Sequence, residues 1–145
     1  MILKTIIAAI INAILYRLGG IGKPFDTKYR DLGCPLVTFI WMLLCYQSVP
    51  WWVHFISFGL MFGALTTYWD RIFKEDNFYF HGFMVALAYL PYAIITGLWI
   101  GFLIRCVAVS VFMGLWCRYF SNDWIEEFGR GGITGASLPL LLIGG

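Results

Sequence analysis

The feature that most constrains this chain is a succession of apolar runs, each long enough for a helix, separated by short segments that collect nearly all the charge. The runs are 2–18, 35–49, 51–69, 78–96 and 98–117, followed by an apolar tail at 137–143. None alternates strictly between apolar and polar residues, which argues against the strands of a β-barrel. Each run is apolar around its whole circumference, as a helix surrounded by apolar material would be. Charged residues make up only 12% of the chain and hydrophobic ones 61%. An ordinary soluble domain is about 25% charged. A spanning helix needs about 20 residues. The sequence therefore predicts an all-α, polytopic integral membrane bundle forming one domain over 1–145. It would have about five transmembrane helices and a short C-terminal segment that is interfacial or partly inserted.

Five spans would alternate the connecting segments between two sides. The stretches 17–33, 70–77 and 118–132 then share one side, and they hold all eight acidic residues and eight of the ten basic ones. Lys4 and Arg105 are the other two. Lysine and arginine favour the cytoplasmic side. The expectation is a bacterial inner (plasma) membrane protein with its N-terminus outside and its charged loops cytoplasmic. Because the two signs balance, the charged side is not a polybasic patch. Membrane lipids are the expected partners and nucleic acid is not.

The densest polar stretch runs from Tyr16 to Gly33. Its glycines and cations suit an anion, since backbone N–H groups of a glycine-rich turn can cradle one while arginine and lysine supply charge. Neither a Walker A loop nor GxGxxG is present. The expected ligand-binding residues are Arg17, Gly19, Gly20, Lys23, Lys28 and Arg30, joined from the last polar stretch by Arg118 and Arg130. Asp70 ends the third run and His81 starts the fourth, so the two flank one hairpin. A carboxylate beside an imidazole is the chemistry of a general acid/base pair, and these two are the expected catalytic residues. No metal-ligand spacing occurs, and the residues name no cofactor.

Elsewhere the readings are structural. Asp123 followed by Glu126 resembles a capping box. Trp124, Ile125 and Phe128 would share one face of an interfacial helix that Gly129 stops. The alternative is Glu126 or Glu127 facing a polar pocket with Arg130. Arg105, deep in the fifth run, would reach headgroups or carbonyls near Gly97. Gly59 with Gly63, and Gly97 with Gly101, have the spacing that lets helices approach closely, within the chain or in a homo-oligomer. Pro91 is expected to kink the fourth run. The four cysteines read as packing residues. The leading functional expectation is a charged, glycine-rich cytoplasmic face that binds a phosphate-bearing ligand, a lipid headgroup or nucleotide, with lipid-phosphate transfer or hydrolysis as the reaction class. An oligomeric, holin-like pore and a passive subunit or assembly factor of a membrane complex are the alternatives.

Overall fold

The computed structural model describes residues 1–18, 28–45, 49–65, 78–120 and 123–143. These residues form helices α1 (Ile2–Leu18), α2 (Lys28–Asp31), α3 (Gly33–Cys45), α4 (Trp51–Gly63), α5 (Phe78–Leu87), α6 (Leu90–Thr96), α7 (Trp99–Tyr119) and α8 (Asp123–Ala136). A 3₁₀ helix, Leu138–Leu142, follows.

The protein is all-helical, but the expectation of five membrane spans is overturned. Among the described residues only α7, with 21 residues, is long and apolar enough to cross a membrane. The α5–α6 pair qualifies only if its 40° bend is counted within one span. The other runs give shorter helices: α1 has 17 residues, and α3 and α4 have 13 each. At about 1.5 Å per residue, 13 residues rise only about 20 Å. Hydropathy counted the apolar residues correctly but could not see where the helices stop. The assignment to an inner membrane, with its cytoplasmic loops and external N-terminus, loses its basis with the five spans.

The break between α5 and α6 falls at Ala88 and Tyr89, just before Pro91. Proline lacks an N–H and its ring crowds the preceding turn, so the helix restarts there with Pro91 in its first turn.

Glycines set the closest helix crossings. The longest seam pairs α1 with α8. A Cβ on Gly131 would overlap the backbone of Asn12 and Ala13, and one on Gly135 would come within 2.6 Å of the Ala9 Cα. As the α8 position rises by four the α1 position falls by about four, so the helices run antiparallel. The Gly131–Gly135 pair is thus a small-residue seam inside the chain. Contrary to expectation, α8 does not stop at Gly129. It continues to Ala136 and packs along α1. Gly82 plays the same part where α5 crosses α7, its Cβ position lying 2.7 Å from the Val109 carbonyl oxygen.

The core gathers Trp41, Met42, Val53, Tyr89, Tyr92, Phe102, Val109, Met113, Leu138 and Leu141. A second cluster unites Tyr16, Cys34, Met61, Leu65 and Val85. Outside this core the surface is strongly apolar. Ile2, Leu3, Ile6, Ile7, Ile10 and Ile14 on α1, Trp51, Trp52, Phe55 and Leu60 on α4, and Ile100, Leu103, Val107 and Phe112 on α7 are exposed.

Candidate functional site

Arg17, Arg30 and Arg130, far apart in sequence, are buried, with exposures of 6%, 1% and 6%. Three elements bring them in. Arg17 is in the last turn of α1, Arg30 lies in the short α2, and Arg130 stands midway along α8. Arg17 donates from Nη1 to Oε2 of Glu127 at 3.3 Å, tying α1 to α8 at the end of their seam. Arg30 donates from Nε to Oδ1 of its neighbour Asp31 at 2.8 Å. The Arg130 guanidinium packs over two rings, Phe78 at 4.8 Å and Tyr16 at 5.6 Å from their centroids. No hydrogen-bond acceptor reaches its Nε or Nη1.

Tyr16 and His81 form the centre of this cluster. The Tyr16 hydroxyl lies 3.1 Å from Nε2 of His81, and the two rings meet edge to face. The Thr134 hydroxyl donates to the Arg130 carbonyl at 2.9 Å. Burial, then the charges of Arg130 and Arg30, hold the His81 imidazole well below its ordinary pKa, so it is neutral at pH 7. Burial pushes the Tyr16 phenol up, and likewise the nearby Cys34 thiol. Tyr16 and His81 are thus both neutral at pH 7.

The sequence-predicted residues divide accordingly. Arg17, Arg30 and Arg130 come together with His81. Arg118, at the end of α7, is exposed and stands apart from these buried groups. Asp70, Gly19, Gly20 and Lys23, the Lys28 side chain and the proposed Asp123 cap lie outside the described residues. No group of histidine, cysteine and acidic side chains fit for a metal occurs among the described residues. Tyr16, Asn12 and Thr134 were not singled out in advance. Their signal was the spacing of Thr5, Ala8, Asn12 and Tyr16, which lines one buried face of α1.

These contacts also correct the functional expectation. Arg17, Arg30 and Arg130 are not displayed on a glycine-rich loop face toward lipid phosphate; they are folded into a packed interior with ion pairs, ring contacts and hydrogen bonds. A membrane-embedded transferase, hydrolase, pore or subunit is not what this compact, buried-core helical domain supports. No family model, curated protein or solved structure matches this chain.

Arg105 is corrected too. It is fully buried and turns to the C-terminal end of α8, donating from Nε to the Ser137 hydroxyl at 3.1 Å and from Nη2 to the Thr134 carbonyl at 3.3 Å. It reaches no carbonyl near Gly97.

The second distinctive region is on the outside, on α4. Trp52, Ile56, Gly59, Leu60 and Gly63 share one helical face. Trp52, Ile56 and Leu60 are exposed and line a groove of about 490 Å³, whose other wall includes Met84, Leu87, Pro91 and Ile94. A Cβ built on Gly59 or Gly63 meets nothing within 4 Å. The other pair with this spacing differs: a Cβ on Gly101 would overlap the Leu140 carbonyl, because the 3₁₀ helix already lies there.

Proposed function

We propose that this chain works through association: it is a helical domain whose apolar α4 face is covered, in use, by a second copy of itself. The observation that carries this reading is the open space over Gly59, set among the exposed Trp52, Ile56 and Leu60. Glycines four apart let helix backbones approach closely. At Gly131 and Gly135 the chain uses that property internally, against α1. On α4 the same spacing faces outward beside an apolar groove. Contiguous exposed apolar surface of this kind marks an interaction site. A two-fold pairing of α4 with α4 would place the same patch on both sides of the interface.

The test is the oligomeric state of the purified chain in mild detergent, by light scattering and native mass spectrometry. A dimer is expected. Gly59→Leu should convert it to a monomer with unchanged helix content by circular dichroism. A wild-type monomer coated only by detergent or lipid would overturn the reading and assign the face to lipid. A Gly59→Leu protein that remains dimeric would also overturn it.

A further inference from the structure

We propose that the interior cluster around Arg130 is a binding site for a small oxyanion such as a carboxylate. Arg130 is only 6% exposed, yet its Nε and Nη1 have no acceptor. Phe78 and Tyr16 offer ring faces to the guanidinium, which favour the cation but accept no conventional hydrogen bond. A buried, charged donor left without an acceptor costs free energy that a bound anion would recover.

Asn12 supplies a second, independent observation. It is fully buried, its backbone lies against Gly131, the residue after Arg130, and neither Nδ2 nor Oδ1 has a partner. It stands one helical turn before Tyr16 on the same face of α1. An unused amide donor and two unused guanidinium donors thus occur on adjoining segments of the α1–α8 seam. The Tyr16–His81 hydrogen bond holds the Tyr16 ring on which Arg130 packs. The site binds by preorganised donors, and no covalent step is implied.

Sodium acetate is the probe, compared at equal ionic strength with sodium chloride. Thermal unfolding is followed by tryptophan fluorescence. Acetate at about 100 times its dissociation constant is expected to raise Tm by roughly 9 °C over chloride. Arg130→Met should abolish the rise, while Arg118→Gln, altering an exposed arginine, should keep it. Equal Tm in acetate and chloride, or a rise retained in Arg130→Met, would sink the proposal.

A second readout needs no variant. In protein labelled with ¹⁵N-arginine, the Nε–H resonance of Arg130 should move as acetate is added. A resonance that stays fixed, as it would if a carboxylate of the chain itself already filled the site, overturns the proposal.

Discussion

Arg105 and Arg130 are both interior guanidiniums and both belong to the neighbourhood of α8, yet they are provided for differently. Arg105 approaches the end of that helix. The last four carbonyls of a helix have no intrahelical N–H, and the Thr134 carbonyl and Ser137 hydroxyl take two of its donors. The negative end of the helix dipole also favours a cation there. Arg130 springs from the middle of the same helix, where the carbonyls are already engaged by the helix ladder. It meets aromatic faces instead, and two of its donors go unanswered. Even Arg105 leaves Nη1 without a partner, but the contrast stands. A buried arginine is cheap at a helix C-terminus and demanding beside a helix interior, where something must be brought to it.

The widest way to break this comparison is to remove the seam that both sites share. Gly131→Val would drive a branched side chain into the α1 backbone, and should cost about 3 kcal/mol or more in denaturant unfolding. A smaller loss would mean that α1 and α8 can separate without disturbing either arginine. Next, Arg105→Met should cost roughly 2 kcal/mol, because two hydrogen bonds to a charged donor are lost while the helix end is left bare. An unfolding midpoint equal to that of the wild type would show that the helix end does not depend on Arg105.

His81 sharpens the comparison through pH. Its folded-state pKa lies below its unfolded value of about 6.5, so below that pH the unfolded chain binds the extra proton and the folded chain does not. Stability attributable to His81 is therefore full above about pH 6.5 and falls as pH drops, with a slope approaching ~1.4 kcal/mol per unit. Denaturant titrations of wild type and His81→Gln between pH 7.5 and 5.5 should differ by this slope. Parallel curves would place His81 in a wetter, ionisable setting.

The smallest effect is expected at Arg130 itself. With no anion added, Arg130→Met exchanges an underpaired guanidinium for an apolar side chain on the same two rings. Such exchanges of buried charge are often neutral or stabilising, and the unfolding free energy should change by less than about 1 kcal/mol. A loss as large as that of Arg105→Met would erase the distinction between the two arginines.

Much of the architecture could be read from residue order. The first apolar run coincides with α1, and the fifth differs from α7 by one or two residues at each end, because an uninterrupted apolar stretch without turn residues has no cheaper backbone solution than a helix. Pro91 announced the break in the fourth run. The five-span reading failed at the shorter runs. Composition is blind to how far each helix rises. The glycines misled for a related reason. Spacing alone marks Gly59–Gly63, Gly97–Gly101 and Gly131–Gly135 alike, while only a neighbouring backbone reveals which pair is already filled.

By itself the sequence determined the helical class, the course of the apolar helices and the scarcity of charge, because these follow from side-chain transfer free energies and backbone hydrogen bonding within one segment. The tertiary structure decided which charges meet. It buries Arg17, Arg30 and Arg130 around Tyr16 and His81, sends Arg105 to the end of α8, and leaves Gly59 open while closing Gly131. Those outcomes depend on the antiparallel register of α1 and α8, a relation between segments more than a hundred residues apart that no local pattern encodes.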